Sequence, residues 1–97
     1  MNKIEFQDLL INLDEKTCFI GEEEIQLTKM EFNLLVFLIS TPNKVFSRKE
    51  IMKEVWGEDV KVTPRAVDTT ISRLRKKLLH LGSYINTRPG FGYSWKE

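Results

Sequence analysis

The sequence predicts a single α+β domain, residues 1–97, in which short antiparallel strands lead into three helices and a β-hairpin ends the chain. Three observations support this fold class. Runs of β-branched and apolar residues between turn residues occupy both ends of the chain, apolar residues recur with a helical period between them, and two capping boxes mark helix starts. We therefore expect an N-terminal sheet at 1–27, a three-helix core at 28–81 and a hairpin at 83–96.

The N-terminal segment contains short runs of strand-forming residues at 6–11, 17–20 and 24–27, separated by clusters of turn residues. In the third run, Ile25 and Leu27 alternate with polar residues, so one face of this strand should be buried and the other exposed to water. The pattern predicts a small antiparallel meander.

The first helix is predicted by a capping box. The Thr28 hydroxyl can accept from the Glu31 N–H while the Glu31 carboxylate accepts from the Thr28 N–H. The body of the helix, residues 32–40, is apolar nearly all round, as expected for a helix that is covered on several sides, and Pro42 ends it. We interpret this helix as hydrophobic core rather than as a binding element.

A second capping box, formed by Ser47 and Glu50, predicts a helix over residues 48–56. Gly57 is suited to the C-cap of that helix, because glycine readily adopts the positive φ that a helix end often requires. The loop of residues 57–63 then leads into the next helix.

The third helix, Pro64 to Leu79, has two contrasting faces. Thr63 is its expected N-cap, and Gly82 is expected to stop it. At about 100° per residue, one sector of the helix is apolar and contains Val67, Ile71, Leu74 and Leu78. The opposite sector is basic and hydroxyl-bearing and contains Arg65, Thr69, Ser72, Arg73 and Lys76. Because a short loop joins it to the preceding helix, we interpret the pair as a helix-turn-helix.

After Gly82 the pattern changes from helical to strand-like. Residues 84–87 and 92–95 read as two strands of a hairpin, with Arg88-Pro89-Gly90-Phe91 as its turn. An isolated helix of this kind could simply present a solvated basic face. A preceding helix and a trailing hairpin with Arg88 at its tip instead favour one continuous DNA-binding surface, in which the hairpin is a wing.

The net charge of +1 conceals an uneven distribution. Residues 1–59 contain 7 Lys and Arg against 12 Asp and Glu, a net charge of −5, whereas residues 60–97 contain 8 against 2, a net charge of +6. Since Lys and Arg drive nucleic-acid binding by neutralising phosphates, the asymmetry predicts a basic surface that faces a polyanion and an acidic surface turned away from it.

The composition argues against several other classes of protein. His80 is the only histidine and Cys18 the only cysteine, so neither a metal site nor a Cys-His dyad has enough members, and we expect no enzyme activity and no cofactor. No apolar run approaches the ~18 residues of a membrane span, and no secretory signal is evident. A lone cysteine fits a reducing compartment, so we expect a cytoplasmic protein without a membrane partner.

Through several motifs that occur in the same order along the chain, the sequence resembles the OmpR/PhoB family of winged-helix effector domains, the output halves of bacterial two-component response regulators. The resemblance covers nearly the whole chain. Its matching motifs are Asn12-Leu13-Asp14, Glu24 to Thr28, Phe32 to Leu35, Phe46-Ser47-Arg48, Val55-Trp56-Gly57, Arg65 to Asp68, Ile71 to Leu78, Ile85-Asn86-Thr87 and Gly90 to Tyr93.

The resemblance implies a four-stranded N-terminal sheet, three helices and a C-terminal hairpin, with the third helix in the major groove of double-stranded DNA and the wing at the adjacent minor groove. It implies sequence-specific binding and transcription regulation at the end of a phosphorelay. Thr69 and Arg73 match the positions that read base edges, a role that suits their chemistry. Positions that contact or flank the DNA backbone are matched by Arg48, Trp56, Arg65, Thr70, Ser72, Arg75, Lys76, Thr87, Arg88 and Tyr93.

Two departures from the family pattern concern DNA contacts. The residue before Gly90 is often an arginine that enters the minor groove, but here it is Pro89, with Arg88 one place earlier. Alternation along a strand would put Arg88 on the other face unless the tip rearranges. Ser72 replaces a second arginine of many relatives, so we expect one fewer phosphate contact and a salt dependence shallower by about one unit.

The resemblance also implies partners. The loop at 57–63, with Glu58, Asp59, Val60 and Lys61, corresponds to a segment that contacts RNA polymerase in several family members, although a solvated loop tip is an equally open reading. The family binds tandem direct repeats, which implies a monomer off DNA and a head-to-tail dimer on it. A receiver domain is absent from these 97 residues.

Two other functions remain open for a winged helix, namely protein docking and RNA binding. A docking helix should expose apolar anchors, whereas the outer sector of the third helix is polar and basic. Binding of single-stranded RNA calls for exposed aromatic side chains, and the candidates Tyr93 and Trp95 lie on wing strands where they could be buried.

Overall fold

The computed structural model describes residues 2–97. A four-stranded antiparallel sheet in sequential order is formed by β1 (Lys3–Phe6), β2 (Leu9–Asn12), β3 (Thr17–Ile20) and β4 (Glu23–Glu24). The helices are α1 (Lys29–Ile39), α2 (Arg48–Ile51), which continues as a π-helical segment (Met52–Trp56), and α3 (Pro64–Lys77), which is followed by a 3₁₀ segment (Leu79–Tyr84). The wing consists of β5 (Ile85–Arg88) and β6 (Gly92–Trp95).

The predicted strand at 6–11 is wrong, because it spans the turn of a hairpin. Phe6 pairs with Leu9, and Gln7 between them has a φ of 54°, which reverses the chain. The run at 24–27 is also wrong as a strand, since regular pairing ends at Glu24. The predicted alternation of buried and exposed residues is present even without strand pairing, since Ile25 and Leu27 are half-buried against the core.

Both predicted capping boxes are present. At α1, the Glu31 N–H donates to Thr28 Oγ1 over 3.2 Å, and the Thr28 N–H donates to Glu31 Oε1 over 2.9 Å. At α2, the Glu50 N–H donates to Ser47 Oγ over 3.1 Å, and the Ser47 N–H donates back over 2.9 Å. These local bonds satisfy N–H groups that a helix start otherwise leaves unpaired, and they fix where each helix begins.

Helix α3 ends before the predicted position. Leu78 is its C-cap, and Leu79 has a φ of 56°, a left-handed conformation that ends the helix three residues before Gly82. Gly82 lies within the 3₁₀ segment, where a Cβ would lie 2.3 Å from the Arg75 carbonyl oxygen. The glycine is therefore required by close packing on α3 rather than as a helix stop. Thr63 occupies the N-cap, but its side chain makes no capping hydrogen bond.

Helix α1 lies at the centre of the core and packs against α3, the π-helical segment and β6. The stripe of α3 that the helical period predicts is fully buried against it, at 0 or 1% exposure for Val67, Ile71, Leu74 and Leu78. Burial of this stripe fixes the rotation of α3 about its own axis, and it turns the basic sector outward.

The wing is held to the segment before α2 by a β-bridge. Phe46 N–H donates to the Tyr93 carbonyl over 2.8 Å, and Tyr93 N–H donates to the Phe46 carbonyl over 3.0 Å. Gly92 has a φ of 141°, and a Cβ there would lie 1.9 Å from the Phe46 carbonyl oxygen, so only glycine allows this approach. The strand predicted at 84–87 is shifted by one residue, since Tyr84 belongs to the 3₁₀ segment.

None of the helices in the described part of the chain combines the length and the apolar character that crossing a lipid bilayer needs.

Candidate nucleic-acid interface

The outward face of α3 is polar, basic and accessible. All members of its predicted outer sector are exposed, and they surround a shallow open depression lined by Arg65, Asp68, Thr69, Ser72, Arg73 and Lys76. No ion pair or side-chain hydrogen bond holds Thr69 or Arg73 within residues 2–97. Their donors and acceptors are therefore free to meet the edges of a ligand placed along the helix.

A second depression lies beside the N-terminal half of α3. Trp56, at the end of the π-helical segment, is half-buried on its wall, and Arg65, Thr69, Thr70 and Arg73 line the opposite side. The Thr70 hydroxyl donates to the Ala66 carbonyl over 2.8 Å, which leaves its oxygen lone pairs but not its hydrogen for an outside partner. Thr70 can therefore accept a hydrogen bond but not donate one while this contact holds.

A three-residue cluster joins α2, α3 and the wing. Asp68 Oδ1 accepts a hydrogen bond from Arg48 Nε over 2.9 Å and from the Tyr93 hydroxyl over 2.5 Å. Arg48 is about half exposed, whereas Tyr93 is buried. The Arg48 guanidinium consequently keeps its two terminal amino groups for an outside partner.

The contacts within this cluster shift the pKa values of all three residues. Burial raises the pKa of Asp68, but the hydrogen bonds from Tyr93 and Arg48 outweigh it and hold the pKa below its usual range. Burial and the neighbouring Asp68 carboxylate raise the pKa of the Tyr93 phenol, and the same carboxylate raises the pKa of Arg48. Asp68 is thus ionised and Tyr93 neutral at physiological pH. Sequence reasoning did not assign Asp68 a role, although it is the single acidic residue between positions 60 and 96.

Arg75 connects α3 to the wing. Its Nε and Nη2 donate to the Ile85 carbonyl over 3.0 and 2.8 Å, and Nη2 also donates to Thr87 Oγ1 over 2.7 Å. Its guanidinium also lies 5.8 Å from the centre of the Tyr93 ring. Two predicted backbone-contacting residues, Arg75 and Thr87, are therefore bound to each other at the junction of α3 and β5.

The wing tip carries an exposed cation and an exposed aromatic ring. The Arg88 guanidinium lies 5.7 Å from the centre of the Phe91 ring, and Phe91 is 67% exposed. Arg88 pairs with Gly92 across the hairpin and lines a cleft of about 380 Å³ between the wing and the start of α2. Arg48 and Lys49 line the other side of this cleft. The cleft therefore has basic residues on both walls.

The loop between α2 and α3 adjoins the α2 side of this surface, since it shares a depression with Lys49 and Met52, and it is less acidic than its sequence indicates. Glu58 forms an ion pair with Lys53 over 3.2 Å, and Val60 is half exposed. Asp59 and Lys61 are exposed. The loop therefore offers an apolar side chain between charges of both signs.

Among residues 2–97, no group of three or more His, Cys, Asp or Glu side chains is arranged to hold a metal ion. The lone thiol, Cys18, is buried in the core, and burial raises its pKa to about 11. His80 contacts Asp8 over 3.1 Å at the surface, where it joins the 3₁₀ segment to the β1–β2 turn.

Comparisons with known proteins agree with this geometry. The profile of the family described as "Transcriptional regulatory protein, C terminal" matches residues 21–95. The transcriptional regulatory protein SrrA of Staphylococcus aureus is 40% identical over 97 residues, an alignment that covers 96% of this chain and 40% of SrrA. The chain thus spans about two fifths of the curated relatives it matches.

Several solved structures have the same fold as this chain. The Klebsiella pneumoniae RstA DNA-binding domain, in complex with the RstA box, superposes with a TM-score of 0.87 at 29% identity, over 99% of this chain and 98% of that one. Thermotoga maritima DrrB, an OmpR/PhoB homologue, superposes with a TM-score of 0.87 at 34% identity, over 99% of this chain and 45% of that one. The DNA-binding domain of the response regulator AdeR, in complex with an intercistronic region, gives a TM-score of 0.83 at 30% identity, over 96% of this chain and 98% of that one.

Proposed function

We propose that this chain, which belongs to the OmpR/PhoB-type family of transcriptional regulatory C-terminal domains, binds double-stranded DNA in a sequence-specific manner and regulates transcription. The observation that carries the proposal is the outward face of α3, which is basic and hydrogen-bonding and lies beside a wing whose cleft is also basic. In the proposed complex the chain is the output domain of a two-component response regulator in the cytoplasm.

In this complex α3 lies in the major groove. Thr69 and Arg73 read base edges, because they are exposed and their polar groups have no partner among residues 2–97. Arginine can donate two hydrogen bonds to guanine, and threonine offers both a hydroxyl and a methyl group. Arg65, Ser72 and Lys76 flank them and contact the backbone, which fixes the register without reading sequence.

The start of α2 and the wing bind the DNA backbone on either side of the groove that α3 enters. Arg48 and Trp56 contribute from α2 and the π-helical segment, and Thr70 contributes from α3. The remaining contacts come from the wing and its junction with α3, through Arg75, Thr87 and Arg88, and the buried Tyr93 flanks them. With Pro89 in the usual place of an arginine, Arg88 is the cation that the wing offers to the minor groove, and its position over the exposed Phe91 ring at the tip supports this role.

Protein docking and RNA binding fit the geometry less well. The exposed face of α3 carries no apolar anchor of the kind that dominates protein interfaces. Tyr93 and Trp95 are buried at 6% and 0% exposure, so neither can stack on an unpaired base. Phe91 is exposed at the wing tip, but a single ring beside the Arg88 guanidinium does not form a platform on which successive unpaired bases stack. The polar face of α3 and the burial of Tyr93 and Trp95 therefore favour a duplex whose grooves and phosphates are already ordered.

Selection of bound sites from a random duplex pool at two salt concentrations tests the proposal. Arg73→Ala should then relax discrimination at one base position by about 1 to 3 kcal/mol. Arg48→Ala is the matched control, and it should weaken binding to all sequences alike. Equal losses on selected and random duplexes for Arg73→Ala would show that Arg73 is not a base reader.

The assembly and the polymerase partner have separate tests. Footprints should cover direct repeats spaced by about 10 to 10.5 bp, bound head to tail by a chain that is monomeric off DNA. An inverted repeat bound by a symmetric dimer would contradict this arrangement. Contact with RNA polymerase through Glu58, Asp59, Val60 and Lys61 predicts that alanine at Val60 lowers transcription in vitro without lowering DNA affinity.

A further inference from the structure

Asp68 is a carboxylate on a surface that is otherwise basic. It lies on α3 one residue before the proposed base reader Thr69, and its side chain is 39% exposed. A phosphate that approaches this surface would be repelled by an unpaired carboxylate. Electrostatics alone therefore disfavours an acidic residue here, and its hydrogen bonds show what it contributes instead.

The carboxylate joins three elements that the proposed DNA complex needs together. It accepts from Arg48 Nε at the start of α2 and from the Tyr93 hydroxyl on β6, both on the same oxygen, Oδ1. Tyr93 is buried, so the phenol cannot exchange this bond for water without local opening. Asp68 is therefore held in place from the wing side, and Arg48 is held by Asp68.

The bond to Arg48 determines which of its donors remain free. A guanidinium has five N–H groups in a rigid fork, and the one on Nε is used by Asp68. The four on the terminal nitrogens are left for a phosphate, which arginine can bind with two parallel bonds. Restricting an exposed arginine before binding also reduces the side-chain entropy lost when the phosphate is bound.

From this geometry we infer that Asp68 is a positioning residue for DNA-backbone binding: it holds the Arg48 guanidinium at the wall of the α2–wing cleft so that its terminal amino groups face a phosphate. The inference rests on the proposed DNA-binding function. It goes beyond it in one respect, because a residue that brings negative charge to the interface is assigned a favourable effect on binding.

The sign of the effect makes the inference testable. The full 97-residue chain is titrated against a labelled random-sequence duplex of roughly 24 bp at several salt concentrations, with binding measured by fluorescence anisotropy. Asp68→Ala should lower the affinity by roughly three- to tenfold, although the variant is more positive by one charge. The slope of log affinity against log salt should become shallower, by up to about one unit, as the Arg48 contact is lost.

A double-mutant cycle separates positioning from a general structural role. In the Arg48→Ala background, Asp68→Ala should cause no further loss, or a small gain from removal of the negative charge. Asp14→Asn, which removes one carboxylate charge from the β2–β3 turn, is the control for net charge and should not lower the affinity. Thermal unfolding of each variant shows whether it is folded, and Asp68→Asn, which keeps the shape of the side chain, replaces Asp68→Ala if that variant is not.

Two results would overturn the inference. One is a rise in affinity in the folded Asp68 variant, which would mean that the carboxylate only repels DNA. The other is an equal loss with and without Arg48. A wild-type chain that binds neither this duplex nor any site selected from the random pool would instead refute the proposed function, and the inference with it.

Discussion

Replacement of Arg75 by alanine should destabilise the wing more than any other change to a basic residue of α3. The substitution removes two hydrogen bonds to the Ile85 carbonyl and one to the Thr87 hydroxyl. Hydrogen bonds that involve a charged group contribute about 1.5 to 3 kcal/mol where they are protected from water, and less where they are exposed. Since the Ile85 contact is half-buried and the Thr87 contact exposed, we expect a loss of about 2 to 3 kcal/mol in the free energy of unfolding.

Urea unfolding followed by tryptophan fluorescence measures this loss, and hydrogen exchange of the β5 and β6 amides locates it. For a domain of this size, the loss corresponds to a melting temperature lower by about 10 to 20 °C. Arg75→Lys should not restore the stability, because an ammonium cannot reproduce the forked contact.

The neighbouring exposed residue supplies the control, since Lys76→Ala should change the free energy of unfolding by less than about 0.5 kcal/mol. If Arg75→Ala were equally neutral and the wing amides kept their protection, the contact to Ile85 would not hold the wing. In the wild-type chain, Arg75 would then have no structural role at the wing, and binding a phosphate would be its remaining role.

Two further predictions concern the core. Because burial raises the pKa of Cys18 from 9.0 to about 11, ionising the thiol costs more in the folded chain than in the unfolded one, and the fold should lose stability as the pH rises from about 9 toward 11. The loss of unfolding free energy should be on the order of 2 kcal/mol, and a Cys18→Ala variant should not show it. Thiol reagents should label Cys18 in the native chain only as fast as the fold opens, and rapid labelling would contradict the burial of the thiol. Lys77→Ala should cost about 1 to 3 kcal/mol, because it leaves the Glu31 carboxylate, 3% exposed, without the ammonium 2.7 Å away. Burial raises the pKa of Glu31, but its contacts with Lys77 and Thr28 outweigh burial and bring the pKa below 4.5. The difference in unfolding free energy between wild type and Lys77→Ala should therefore shrink as the pH falls below 4.5 and Glu31 is protonated. A difference that stays constant with pH would exclude the ion pair as its cause.

Local signals in the sequence predicted the helices well. Capping boxes involve residues three apart, and the buried stripe of α3 recurs every three or four residues, so both can be recognised without knowledge of the tertiary structure. Two of the errors came from residues whose backbone departs from their usual preference. Gln7 and Leu79 both have positive φ, at 54° and 56°, and neither residue type indicates a turn. The first hid a hairpin, and the second ended α3 early.

The candidate site was predictable where it depends on the faces of one helix, and unpredictable where it depends on contacts between elements. The outer sector of α3 follows directly from the apolar period. The pairing of Arg48 with Asp68 joins residues 20 positions apart, and that of Tyr93 with Asp68 joins residues 25 apart. Such partners depend on how α2, α3 and the wing pack, which no local pattern encodes.

The β-bridge between Phe46 and Tyr93 has a consequence for the DNA partner. It ties the wing to the segment that leads into α2, and the close contact between the Gly92 backbone and the Phe46 carbonyl holds the two segments together. The surfaces that would meet neighbouring grooves are thus spaced by the protein before any duplex arrives. In the proposed complex, a mismatch in groove width has to be met by bending or twisting the DNA, at an energy that depends on its sequence. Base pairs that no side chain touches would then contribute to the choice of binding site.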